Sequence, residues 1–139
     1  MSPSNRHEFY NQIISEWIKE VHQASANAGW WKSTDDLIKI VPDEFKSLLN
    51  SLVKSSKQAL IHSEVSEALE GVRKDCQDKH LPRRKTEEVE MADAVIRIFD
   101  YCGKYNIDLP GAMIEKLEYN KTRADHKPEA RAAEGGKKI

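Results

Sequence analysis

Apolar residues recur along most of this chain at every third or fourth position, the spacing that lines up one face of an α-helix. Phe9, Ile13, Trp17, Val21 and Ala24 mark the first such stretch. It predicts a helix from Ser4 to Ala28 that buries those side chains, with Gly29 as its stop. Trp30 to Asp36 reads as a loop, followed by a short turn from Leu37 to Val41 that ends at Pro42. From Asp43 to Lys74 only Gly71 interrupts a helix-forming composition, and Phe45, Leu48, Leu49, Leu52 and Val53 repeat at helical spacing. That stretch is compatible with one long helix or with two joined near Ser55 and Ser56. Polar residues and Pro82 predict a loop over Asp75 to Lys85. Thr86 is placed to cap the next helix, with Glu87, Glu88 and Glu90 complementing the dipole at its start, and Gly103 marks its end. Asp108 is placed to cap a last helix that carries Pro110 in its first turn and reaches Thr122. Period-two alternation is nearly absent, so the expected fold is all-α, most simply a bundle of four or five helices.

Two acidic pairs depart from this pattern. Glu64 with Glu67, and Glu90 with Asp93, are each spaced three residues apart on a helical segment, so the members of a pair share a face. Exposed acids normally lie opposite the apolar stripe; these border it. Counting about 100° per residue from Leu60, the apolar set Ile61, Val65, Ala68, Leu69 and Val72 fills the sector to about 180°. Glu64 falls near 40°, inside that sector, and Glu67 near −20°, at its edge. On the later helix the apolar side runs through Ala92, Val95, Ile96, Ile98, Phe99 and Cys102. Asp93 and Glu90 fall about 40° and about 100° past Val89. If the two helices pack by their apolar faces, four carboxylates converge at the seam, where they repel one another and lose hydration. A divalent cation resolves both problems, and hard oxygen donors suit Mg²⁺, Mn²⁺ or Ca²⁺ alike. The same spacing is also common on solvated helix faces in a chain that is 32% charged, so by itself it leaves both readings open.

Composition narrows the function classes. At 139 residues the chain suits one domain with a real core. A net charge of −1 gives no electrostatic case for nucleic acid or an anionic membrane. No stretch approaches the ~18 apolar residues of a membrane span, and the first dozen residues lack the apolar core of a signal peptide. Cys76 and Cys102 fit no Cys-x-x-Cys motif and read as reduced thiols, Cys102 in the core, pointing to a cytoplasmic protein. From Ala124 to Ile139 the composition turns to Ala, Gly, Lys and Glu. That predicts a polar, mobile tail unless a ligand or partner orders it.

Two basic groups accompany the acids. Lys79, His80, Arg83, Arg84 and Lys85 precede the second acidic helix, and Lys116, Asn120, Lys121 and Arg123 close the last helix. Separately they read as a solvated loop and as dipole-complementing cations. Beside an acid-bound cation they are what a polyphosphate requires, because they neutralise oxygens the metal does not reach. No glycine-rich phosphate loop occurs, which excludes a P-loop enzyme. Adjacent Trp30 and Trp31 point in different directions, so one is expected in the core and the other as a lid, interface or platform for a nucleobase. His22 and His62 have no partner motif and read as polar residues at the core edge.

In this order the segments resemble the MazG-like nucleotide pyrophosphohydrolases of the all-α NTP pyrophosphatase superfamily. Leu60 to Glu70 looks like the first metal helix of that family, whose pattern is E-x-x-E followed by E-x-x-D. Glu90-Met91-Ala92-Asp93 with the following Ala-Val-Ile-Arg-Ile-Phe-Asp resembles the second. Glu115 to Arg123 is similar to the family's terminal Lys/Asn/Arg segment, and His22 to Trp31 to the entry segment of a small, often phage-encoded branch. The resemblance covers most of residues 10 to 127, although Asp43 to Ser56 is longer than in compact members. It implies a MazG-like helical catalytic domain over residues 1–123, followed by the tail of 124–139. It also implies Mg²⁺-dependent hydrolysis of an NTP or dNTP to the monophosphate and pyrophosphate, with Mn²⁺ a possible substitute. Glu64, Glu67, Glu90 and Asp93 are then the metal ligands, with Glu67 favoured to orient or deprotonate the attacking water. Lys116, Asn120 and Arg123 contact phosphate or sugar, Arg83 or Lys85 closes over the polyphosphate, and Trp30 or Trp31 meets the base. The family assembles as homodimers or homotetramers. Competing readings are a non-enzymatic helical interaction module and a degenerate nucleotide-binding sensor.

Overall fold

The computed structural model describes residues 2–123 and 127–134. Among them it forms six helices and no strand: α1 (Pro3–Asn27), α2 (Lys32–Ile40), α3 (Asp43–Lys74), α4 (Thr86–Tyr105), α5 (Leu109–Thr122) and α6 (Pro128–Ala132). The fold is all-α, as the periodicity requires. Two compact units make up the chain: Trp17–Ile107, and Met1–Glu16 with Asp108–Ile139. None of the helices among the described residues is long and apolar enough to cross a membrane.

The Trp17–Ile107 unit is organised around an antiparallel hairpin of α3 and α4. Ser55 and Ser56 do not divide α3, which runs unbroken for 32 residues. Gly71 sets the close approach of the two helices: a Cβ there would lie 2.8 Å from Thr86 Cβ and 2.9 Å from the Glu87 amide nitrogen. The loop that joins them is closed by an antiparallel bridge between Gln77 and Lys85. Inside it, buried Asp78 accepts from the backbone N–H groups of His80 at 2.9 Å and Leu81 at 2.6 Å. The bond from Leu81 is the main reason its carboxyl is held below the usual range.

Several sequence expectations are corrected here. Thr86 does not cap α4; Lys85 stands at the cap without a side-chain bond, and Thr86, packed on Gly71, has its hydroxyl 3.4 Å from Cys76 Sγ. The expectation that α4 ends near Gly103 holds to within two residues, although Gly103 itself is not the stop. It is a packing position, where a Cβ would strike His22, and the helix runs on to Tyr105 with Asn106 in the left-handed region at φ 51°. Lys32 to Asp36 belongs to α2 rather than to a loop. Gly29 takes φ 83° and turns the chain, and the Thr34 hydroxyl then donates to Trp31 O at 2.8 Å across the first turn. In α1 the buried residue is Ile18, which lies with His22 against Gly103, whereas Phe9, Ile13, Trp17 and Ala24 are exposed. On α4 the buried residues are Ala94 and Cys102, whereas Val95 and Ile96 stay largely exposed. A wheel shows which residues share a face but not which face receives a neighbour.

In the other unit the sequence reading of α5 holds. Asp108 caps it by accepting from the Gly111 N–H at 2.9 Å, and Pro110 is fully buried in the first turn. Of the expected tail, residues 124–126 and 135–139 lie outside the described residues; Pro128–Ala132 forms the short α6.

Candidate functional site

The α3–α4 seam brings together three of the four acids. One carboxylate oxygen each from Glu64, Glu90 and Asp93 lies within 4.8 Å of the others. Glu64 is only 6% exposed, in keeping with its place inside the apolar sector. Glu67, one turn further along α3, is exposed and stands outside the trio. Across the seam the Arg97 Nε–H donates to Glu64 Oε1 at 2.5 Å. Arg97 follows Asp93 by four residues and so shares its helix face.

Among the described residues, the three acids are met by one bonded guanidinium, which leaves the cluster short of positive charge there. Burial, with the charges of Glu67 and Glu64 next to it, pushes the Glu90 carboxyl above its ordinary range. Burial and Glu64 do the same to Asp93, partly offset by Arg97, while Asp78 adds to the push. The donors are all hard carboxylate oxygens, close enough to converge on one ion and under-compensated by the chain. Such a set suits Mg²⁺, Mn²⁺ or Ca²⁺ alike.

A cleft of about 420 Å³ opens beside the cluster, within the range of small-ligand sites. Asp93 and Arg97 line it at the acids, and Leu60 and Ile96 supply apolar wall. Two turns further along α4, about 10 Å away, it is lined by Asp100, Ser25, Trp31 and exposed Trp30. Asp100 is the hub of this region. Its Oδ1 accepts from His22 Nδ1 at 2.8 Å and from Trp31 Nε1 at 2.9 Å, and its Oδ2 accepts from Ser25 Oγ at 2.8 Å. One carboxylate thereby ties the end of α1 and the start of α2 to α4. On the α3 side, Lys57 Nζ stands 4.2 Å over the Trp31 ring.

The two tryptophans divide their roles. Trp31 is 3% exposed and anchored, while Trp30 is 72% exposed and free to stack. Lys85 is paired with Asp75 at 2.7 Å, and Arg83 is exposed on the same loop. Lys116, Asn120 and Arg123 belong to the other unit. Lys116 Nζ and the Arg123 guanidinium lie 4.8 and 5.9 Å from the centre of the Tyr119 ring. Asn120 Oδ1 is buried without a hydrogen-bond partner, an acceptor still to be matched.

Sequence reasoning missed Arg97, Lys57, Ser25 and Asp100, and gave His22 no partner. Arg97 was detectable as a cation four residues after Asp93 on the same face. Asp100 was not, because its donors stand 69 to 78 residues away. In comparisons with protein-family models, curated proteins and solved structures, nothing matched this chain.

Proposed function

We propose that this protein is a divalent-cation-dependent nucleoside triphosphate pyrophosphohydrolase that releases a monophosphate and pyrophosphate. The observation that carries the proposal is the acidic trio of buried Glu64 with the more accessible Glu90 and Asp93, opening onto a cleft that holds cations and an exposed indole. Mg²⁺, or Mn²⁺ in its place, is the proposed cofactor, held by Glu64, Glu90 and Asp93 with Glu67 at the rim. When bound it supplies a Lewis acid for phosphoryl oxygens and acidifies a water.

The chain's own residues have distinct parts. Arg97 and Lys57 offer positive charge to the phosphate oxygens, and Trp30 offers its face to the base. Glu67, exposed and outside the trio, is the carboxylate proposed to take the proton of the attacking water. As that water bonds to phosphorus, the α–β anhydride bond breaks and pyrophosphate leaves. Arg83 and Lys85 close over the polyphosphate once Lys85 exchanges Asp75 for it. Lys116, Asn120 and Arg123 enter as substrate contacts on the family resemblance, and the orphaned Asn120 oxygen supports a polar ligand there.

A cytoplasmic location belongs to this reading and is supported by two free cysteines. So does assembly as a homodimer or homotetramer, supported by apolar side chains left on α3, among them Leu48, Leu52 and Leu69. The same surfaces favour the rival reading, an interaction module that binds partners without metal. A panel of NTPs and dNTPs with Mg²⁺, scored for monophosphate and pyrophosphate, decides between them. Partner capture with no turnover of any nucleotide favours the module.

A further inference from the structure

The part of the cleft wall made by Ser25, Trp31 and Asp100 is chemically one-sided. A carboxylate accepts and cannot donate, so every hydrogen in this cluster points at Asp100: the Trp31 indole N–H, the His22 Nδ1–H and the Ser25 hydroxyl. Trp31 has no second polar hydrogen. With its hydrogen committed, Ser25 turns only lone pairs toward the cleft that it lines. Asp100 lines the same wall, and both of its oxygens are already accepting.

We propose that this acceptor wall makes the cleft selective for nucleotides whose base carries an exocyclic amino group (cytosine, adenine or guanine). Ser25 is the specificity-determining residue, and Asp100 is the positioning residue that fixes its hydroxyl. An amino group facing Ser25 completes a hydrogen bond. A carbonyl in the same place sets acceptor against acceptor. It is relieved only if the Ser25 hydrogen leaves Asp100, which strips a donor from a carboxylate that is 15% exposed. Sites built around such a bond discriminate strongly against analogues that cannot form it. Donors do exist elsewhere in the cleft. Lys57 lines it from α3, and Tyr101, whose hydroxyl accepts from Gln58 Nε2 at 3.2 Å, keeps its own hydrogen. A base docked against those two would show the opposite preference, so the preference reports which wall reads the base.

The inference rests on the nucleotide reading of the cleft, and its test separates the two. Calorimetric titration of the whole chain with CMP against UMP, and AMP against IMP, exchanges an amino group for a carbonyl without requiring turnover. CMP and AMP are expected to bind about tenfold more tightly than their partners. Ser25→Ala is expected to bring each pair to within about twofold, and Ser25→Thr, which restores a hydroxyl, to keep the preference. Circular dichroism confirms that both variants are folded. Equal or tighter binding of UMP and IMP overturns the inference while leaving the nucleotide reading intact, and so does a preference that survives in Ser25→Ala. No binding of any monophosphate, together with no hydrolysis of any triphosphate, overturns both.

Discussion

Asp93 and Asp100 stand seven residues apart on α4, and the fold gives them opposite surroundings. Asp100 meets three hydrogen-bond donors drawn from α1 and the α2 entry, so its oxygens are satisfied by the protein. Asp93 meets two further acids and shares a single guanidinium with them. The carboxyl beside other acids is pushed upward by burial and by Glu64. A satisfied carboxylate of this kind is architecture: it fixes Trp31 and shapes the cleft. A cluster of acids at the same cleft is relieved by a proton or by a cation, and that contrast is the basis for proposing a metal-holding role for one region and a ligand-reading role for the other.

The contrast can be broken at either end. Asp93→Asn is expected to have the largest effect, about a thousandfold loss of pyrophosphate release with an unchanged urea midpoint or a slight gain, since a source of repulsion has gone. Activity assays paired with urea titration check this, and a variant that unfolds instead would place Asp93 with the architectural residues. Asp100→Asn should do the reverse. It should cost about 1.5–3 kcal/mol of stability, as bonds to a charged acceptor weaken, with any loss of turnover concentrated in KM. Arg97→Gln removes the cation bonded to Glu64 and is expected to cost about 1–2 kcal/mol in EDTA, given how exposed the guanidinium is. Added Mg²⁺ should restore most of that, and scanning calorimetry with and without the ion measures it.

The smallest effect is on the pH dependence of stability. Glu90 and Asp93 are held above the ordinary carboxylate range, so over that window the folded chain keeps protons that the unfolded chain has released. Their contribution is complete below the ordinary values and is lost as pH rises through the raised ones. Without metal the share of the thermal midpoint's pH dependence that these two groups supply is therefore a decline as pH rises from about 4, opposite in sign to the share of Asp78, whose carboxyl is held low. Asp93→Asn should remove its share of that decline, read as the difference from the wild type. A slope that Asp93→Asn does not change would remove the electrostatic basis of the comparison.

Much of this was legible in residue spacing. The wheel put Glu64 inside an apolar sector and Glu67 at its rim, and one is buried and the other exposed. The helical periods and the Asp108 cap were equally readable, because they depend on neighbours within a few residues. What failed depended on distant partners. Gly29 and the polar run after it suggested a loop, but Trp31, held by Asp100, lets a helix start at Lys32. Gly103 resembled a stop signal and proved to be the place where His22 packs. Val95 and Ile96 belonged to an apolar arc that stays largely exposed, since the contacts from α3 fall on Thr86, Arg97, Tyr101 and Tyr105. Asp100 carried no local signal at all.

The most direct measurement is the product analysis of a triphosphate panel with Mg²⁺, run on the wild-type chain and on folded Glu64→Gln. The carboxylate site predicts monophosphate and pyrophosphate in equal amounts from the wild type, abolished by EDTA and reduced at least a hundredfold in Glu64→Gln. Undiminished release from Glu64→Gln, or no pyrophosphate from any nucleotide with Mg²⁺ or Mn²⁺, would contradict it.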